Sequence, residues 1–313
     1  MNDRPPPPDG VLVLDKPQGP TSHDMVARVR RALRTREVGH AGTLDPMATG
    51  VLVVAIGQGT KLVPWLTAHA KAYRATIRLG VATASLDAQG EVVETRSIDD
   101  RLRAVLADAS HPELLAALSA ERARTEQVPP VVSAIKIDGV AAHARVRRGE
   151  VLDLAPRPVA VERLEVLAAR VDPPELDVEV ACAKGYYVRS LARDLAERLC
   201  TVGHLVMLRR ARSGPFTLDD ATDLAAAEDL AARVIPLSAA ATRALGSVEL
   251  TEEGVVRARH GKKLAREHFV DAPPAGAAAW LASGTLIAIG ETADEESRVL
   301  RGFPGTDGPP AGL

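Results

Sequence analysis

Aromatic side chains make up only 3% of this 313-residue sequence: three Tyr, three Phe and two Trp. Its core must therefore be packed with small aliphatic groups, and every ring is a candidate for some other duty. Cysteine is scarcer still. Cys182 and Cys200 lie 18 residues apart with no second pair, which excludes a structural zinc site and argues against a disulfide framework. Both are expected to be buried thiols in a reducing cytoplasm. The longest apolar runs, such as Gly50–Ile56 and Leu281–Ile289, fall far short of the roughly 20 residues of a membrane span, so no membrane association is expected. Residues 1–10 carry four consecutive prolines where a secretory signal would carry an apolar stretch. Net charge is missing too: 39 Lys and Arg against 41 Asp and Glu give −2, so no global basic excess points to nucleic acid. Nor is there a Walker A loop, a G-x-G-x-x-G opening a helix, an H-E-x-x-H or a G-x-S-x-G. Hydride transfer, nucleotide hydrolysis and zinc peptidase chemistry lose their usual apparatus.

What is present is local. From Lys16 to Arg36 six cations face one acid, from Lys184 to Arg212 seven face two, and Arg257–Arg266 holds five and no acid. These stretches make one electrostatic footprint if the fold gathers them, or three solvated faces if it does not. The pattern predicts strand Val11–Leu14, then a helix capped by Thr21 with Asp24 at capping-box spacing. Further strands are expected at Val51–Ile56, Tyr73–Leu79, Val131–Ile137, Pro158–Ala169, Leu176–Ala183 and Leu205–Arg212. Helices are expected from Thr60 to about Ala70, and over Asp100–Ala107, Glu113–Ala123, Ala141–Arg148 and Tyr187–Leu199. Irregular alternation with hairpins predicts an α+β fold around a mixed, largely antiparallel sheet. After Pro236 the composition shifts, and strand signals at Val248–Arg259, Thr285–Ile289 and Ser297–Leu300 predict a small β-rich domain. The expected division is a flexible segment 1–9, a main domain 10–235, a small domain 236–301 and a flexible tail 302–313.

The most pointed feature is Gly39-His40-Ala41-Gly42-Thr43-Leu44-Asp45-Pro46-Met47-Ala48-Thr49-Gly50, a tightly turned loop offering one imidazole and one carboxylate. Asp45 can be a nucleophile, a base or a ligand, or it can simply open an Asp-Pro turn while His40 packs. Tyr73, Tyr186 and Tyr187 all lie beside basic residues, an arrangement suited to nucleobase stacking or, equally, to anchoring a core.

Val13-Leu14-Asp15-Lys16-Pro17-Gln18-Gly19-Pro20-Thr21-Ser22 followed by the Gly39–Gly50 loop resembles the signature of bacterial tRNA pseudouridine-55 synthases, the TruB family. Lys71–Arg74, Leu79–Gly90, Val128–Lys136, Lys184–Leu191 and Gly203–Arg210 extend the resemblance in order over about residues 10–215. The chain departs from the family at Val131-Val132 and Ala141-Ala142-His143, where an aromatic is frequent. The resemblance implies a pseudouridine-synthase core, a PUA-like RNA-binding carboxyl-terminal domain, and isomerisation of uridine by base flipping without cofactor or metal. It implies Asp45 as the essential aspartate, Arg189 as its partner and Tyr73 as the residue stacked on the flipped base and placed for C5 deprotonation. It also implies His40, Tyr187, Leu208 and Lys16 as substrate contacts or their scaffold. The implied partner is the TΨC arm of tRNA, in the cytoplasm, with no membrane and no obligate protein partner. A tRNA-binding folding helper and a synthase with another RNA target are the alternatives. Removal of everything after Leu237 is expected to leave a competent core.

Overall fold

The computed structural model describes residues 6–304 except 134, 138, 143, 144, 146, 147, 151, 227, 294 and 295. Strand β1 (Gly10–Lys16) turns into helix α1 (Ser22–Leu33), where the Thr21 hydroxyl accepts from the Asp24 amide at 3.0 Å and the Asp24 carboxylate accepts from the Thr21 amide at 2.8 Å. Strands β2 (Val38–His40) and β3 (Thr49–Ile56) bracket the Gly-rich loop. A 3-10 turn and then α2 (Val63–Ala68) replace the single helix expected from Thr60, because Pro64 fits only in a first helical turn. Next come β4 (Lys71–Leu79), the hairpin β5 (Val81–Thr83) and β6 (Val92–Thr95), α3 (Asp100–Ala107) and α4 (Pro112–Arg122). The core continues through β7 (Val161–Val171), β8 (Pro174–Cys182), α5 (Val188–Arg198), β9 (Gly203–Ser213) and β10 (Phe216–Thr217). The remainder is β11 (Ile235–Pro236), α6 (Leu237–Leu245), β12 (Ser247–Glu249), α7 (Glu252–Arg259), β13 (Gly276–Ala282), β14 (Thr285–Ala293) and β15 (Glu296–Gly302).

Nine strands form the main sheet, in the order β7-β8-β4-β9-β3-β1-β11, with β10 added on β9 and β2 on β3. Every pairing is antiparallel except β9 with β3. The apolar runs in β1 and β3 are continuous because both faces of these strands are covered. Leu12, Leu14, Leu52, Val54 and Ile56 enter the main core with Met25, Val29 and Leu191. Alternate residues Val11, Val13, Val51 and Val53 point the other way, against Ala240, Ala241, Ala279, Leu286, Ile289 and Phe303. The second sheet, β12-β13-β14-β15, thus packs through its own residues and α6 onto the back of the first.

Several expectations need correction. Of Val131–Ile137 only Lys136–Ile137 is strand, paired with Val140–Ala141, since Pro129 and Pro130 remove ladder donors just upstream. Of the helix expected over Ala141–Arg148, residues 143, 144, 146 and 147 lie outside the described ones, Ala142 and Arg145 are helical, and Ala141 itself is in that short strand. Val248–Arg259 splits into β12 and α7, because the Thr251 hydroxyl caps a helix by accepting from the Gly254 amide at 3.1 Å. Cys182 is buried as expected, but Cys200 is exposed, in the left-handed region (φ 58°) of the turn that ends α5. Asp9 is tied down by the Gln58 amide at 2.8 Å, and Phe303 is buried with its amide on the Ile287 carbonyl at 2.9 Å. Residues 1–5 and 305–313 lie outside the described ones. No described helix is long and apolar enough to cross a membrane.

Candidate active site

The Asp45 loop is held by backbone contacts before any catalytic role is considered. Asp45 opens a turn closed by the Ala48 amide at 3.0 Å, with Pro46 at the second position, where its fixed φ is favourable. The Ser22 hydroxyl accepts from the Leu44 amide at 2.8 Å and donates to the Leu44 carbonyl at 3.1 Å, and the Gly19 amide donates to Pro46 at 2.8 Å. Beneath the loop the fully buried Lys16 donates to the carbonyls of Pro17, Pro46 and Ala48 at 2.9, 3.3 and 2.7 Å. Burial pulls its ammonium down to about 8. At the far end of the loop Gly50 has φ +98°, and a Cβ there would collide with the Arg210 carbonyl, so glycine is required.

The turn holds the Asp45 carboxylate toward Arg189, whose Nε lies 2.9 Å from Oδ2 and whose Nη2 donates to Oδ1 at 3.3 Å. Arg189 is 4% exposed and Asp45 34%, so the cation is fixed and the anion faces open space. The Arg189 Nη1 donates to the Ser85 carbonyl at 3.0 Å and lies 3.9 Å from Asp87, itself fixed by Ser85 Oγ at 2.6 Å and the Gln89 amide at 3.0 Å. Arg189 sits in the first turn of α5, whose N-cap, Tyr187, is bracketed by buried Gln127: the Tyr187 amide donates to Oε1 at 2.9 Å, and Nε2 donates to the Tyr187 carbonyl at 3.2 Å. The side-chain amide thus satisfies both backbone groups of the N-cap residue.

Asp45, Arg189, Tyr73, Tyr187, His40 and Leu208 all line one cavity of about 450 Å³. Tyr73 comes from β4 and Leu208 from the neighbouring β9; burial raises both Tyr73 and Tyr187, keeping the phenols neutral. His40 meets His23 edge to face at 5.1 Å, and burial first, then His23 and Arg210, lower its imidazole, favouring the neutral ring. Lys16 is not in the cavity lining; its ammonium is spent on the loop above it. Three cations without an assigned role, Lys71, Lys184 and Arg210, also line the cavity. Buried Lys71 donates to Thr67 and His69 carbonyls at 2.6 Å each and is pulled down to about 8 by burial, with Arg210 adding to the effect. Arg210 is 1% exposed. The signal for it was available: on a strand, residue 210 shares the face of residue 208. The cavity therefore sets one carboxylate among cations, with flat rings at hand for a planar ligand.

Comparison with known proteins matches the chain to a family. The model "TruB family pseudouridylate synthase (N terminal domain)" matches residues 30–188, and "tRNA pseudouridylate synthase B C-terminal domain" matches 189–247. The second stretch begins in α5, ahead of strand β9 of the main sheet, and ends where β12 starts. The chain is 48% identical over 265 residues to tRNA pseudouridine synthase B of Corynebacterium glutamicum (strain R), covering 83% of this chain and 86% of that one. It is 44% identical over 290 residues to the protein of that name from Arthrobacter sp. (strain FB24), covering 90% and 92%. The fold resembles a chain in the crystal structure of a Cbf5-Nop10-Gar1 complex, with a TM-score of 0.71 at 24% identity, over 98% of this chain and 92% of that one.

Proposed function

This chain belongs to the TruB family of pseudouridylate synthases, and we propose that the base it modifies is uridine 55 in the TΨC loop of tRNA. It is an isomerase acting on tRNA, and its target base must leave the stack to be reached, which costs a few kcal/mol. In this reaction the C1′–N1 bond breaks, the uracil turns, a C1′–C5 bond forms, and the hydrogen on C5 leaves as a proton while N1 gains one. Atoms balance and no electrons are exchanged, so the chemistry asks for no redox group.

The observation that carries the residue assignment is the Asp45–Arg189 pair on the wall of the tyrosine-lined cavity. Arg189 holds the carboxylate aimed at the nucleoside. Tyr73 stacks on the flipped uracil and faces C5 for the final proton loss. Tyr187 and Leu208 close the pocket around the ring, while neutral His40 at its edge contacts the opened loop. Lys16 supports from below. The four-stranded carboxyl-terminal sheet is the RNA-binding module that grips tRNA beyond the loop. We place the reaction in the cytoplasm, where tRNA is matured.

The test uses a tRNA transcript labelled with tritium at uridine C5. The purified protein should release one tritium per tRNA, persist through exhaustive chelation, and leave pseudouridine at position 55. Release with position 55 unchanged would move the target elsewhere in the tRNA. No release at all would overturn the assignment.

A further inference from the structure

We infer that Arg210 is a positioning residue that sets Tyr73 against the Asp45 loop; the inference rests on reading Asp45 and Tyr73 as the reacting side chains. Strand register puts it between them. On β9, Arg210 pairs with Gly50 of β3 on one side and with Tyr73 of β4 on the other, so the three residues form a row across three strands. Its side chain is buried and, among the described residues, pairs with no carboxylate. It is satisfied by backbone instead: Nε donates to the Val51 carbonyl at 2.7 Å, Nη2 to Gly42 at 3.1 Å and Nη1 to Thr43 at 3.4 Å. Gly42 and Thr43 lead directly into Leu44 and Asp45.

Tyr73 is the cross-strand partner of Arg210, so the two side chains leave the same face of the sheet side by side, and both line the cavity. One rigid fork thus fixes the height of the Asp45 loop next to Tyr73. A lysine ammonium has the charge but not the fork, and it cannot span three carbonyls.

The experiment compares Arg210→Lys and Arg210→Gln with Asp45→Asn and Tyr73→Phe, all in the full chain and on one tRNA transcript. Arg210→Lys should lower kcat roughly 100-fold, the scale of an ångström-level misplacement, with KM and RNA affinity within about threefold of the parent. On a Tyr73→Phe background the same substitution should cost much less, because a shifted Asp45 loop matters less once the phenol it is set against is gone. Parental kcat in Arg210→Lys, or an undiminished loss on that background, overturns the inference while an inactive Asp45→Asn leaves the site reading standing. An active Asp45→Asn would instead overturn that reading. Should neither Arg210 variant fold, hydrogen exchange in the near-isosteric Tyr73→Phe protein decides. A loop clamped by Arg210 should protect the amides from Thr43 to Asp45 in that protein far beyond those of an exposed turn, and rapid exchange there rejects the clamp.

Discussion

The cations around Asp45 and those of the carboxyl-terminal region are used in opposite ways. Lys16, Arg189 and Arg210 are almost wholly buried, and their donors go to carbonyls and to one carboxylate. On the four-stranded sheet the interior is apolar, with fully buried Trp280 meeting Phe269 edge to face at 5.2 Å, while Arg259, Lys262 and Lys263 stand in solvent. A buried cation carries a desolvation cost and gives geometry in return. An exposed one is mobile and screened, and what it contributes is attraction for phosphate over about a Debye length. The first region should therefore govern turnover and the second affinity.

The largest expected effect separates those two quantities directly. Asp45→Asn should abolish isomerisation while leaving tRNA affinity within about tenfold, because the carboxylate supplies chemistry and little binding energy. Single-turnover assays beside filter binding measure both. Near-parental turnover would mean that another group does the work. A matching collapse of affinity would mean that the loop is a binding element first.

Truncation after Leu237 comes next, and here the structure changes the expectation. The composition shift near Pro236 suggests a separable unit, yet Val11, Val13, Val51 and Val53 of the main sheet are covered by the residues that would be removed. Exposing large aliphatic groups costs roughly 1.5–3 kcal/mol each, and four of them consume much of a typical stability of about 5–15 kcal/mol. The truncated protein should melt far below the parent or fail to fold. A cooperative melt within a few degrees of the parent would show that the shared layer contributes little.

A smaller effect follows from the lysines at the site. Lys16 and Lys71 are both drawn down to about 8 by burial, whereas lysines of the unfolded chain titrate near 10.4. Between about pH 8 and 10 the unfolded chain thus binds more protons at these positions, so their contribution makes stability rise with pH. Over the same interval the cavity loses positive charge and tRNA affinity should fall. Denaturant melts and binding isotherms across that range should move in opposite directions. Parallel movement would show that these two groups do not set either curve.

The sequence could reveal the Asp45 loop because chain-local features make it: Asp-Pro at a turn, Gly50 where no Cβ fits, and the Thr21–Asp24 capping box. It could reveal the strands of the main sheet because two-sided burial writes continuous apolar runs. Arg210 and Gln127 were not legible in the same way, because their partners lie far off in the chain. Whether a cation is solvated or wired into backbone carbonyls depends on partners such as Gly42 and Val51, about 160 residues away in the chain. Val248–Arg259 misled for a related reason: the short strand ends at a threonine that serves as a helix cap. The covering of Val13 and Val53 by residues from 240 onward is also a tertiary fact, invisible to a composition shift.

The smallest expected effect tests the exposed half of the comparison. Arg259 and Lys262 stand in solvent at the end of α7 and in the turn after it, so replacing both with Gln should leave the fold and kcat unchanged. If each meets a phosphate of the tRNA, each neutralisation removes released counterions and flattens the plot of log affinity against log salt by about 0.7–0.9. The parent should therefore show a steep salt dependence despite its net charge of −2, and the double variant a slope shallower by somewhat less than two. An isolated TΨC stem-loop, which ends short of phosphates reached only by the carboxyl-terminal sheet, should give the same slope with both proteins. That control matters, because a general loss of positive field would flatten both plots together, while a specific contact flattens only the one for whole tRNA. Identical slopes for parent and variant on whole tRNA would return these cations to the status of a solvated face and leave affinity to the cavity and the first helix.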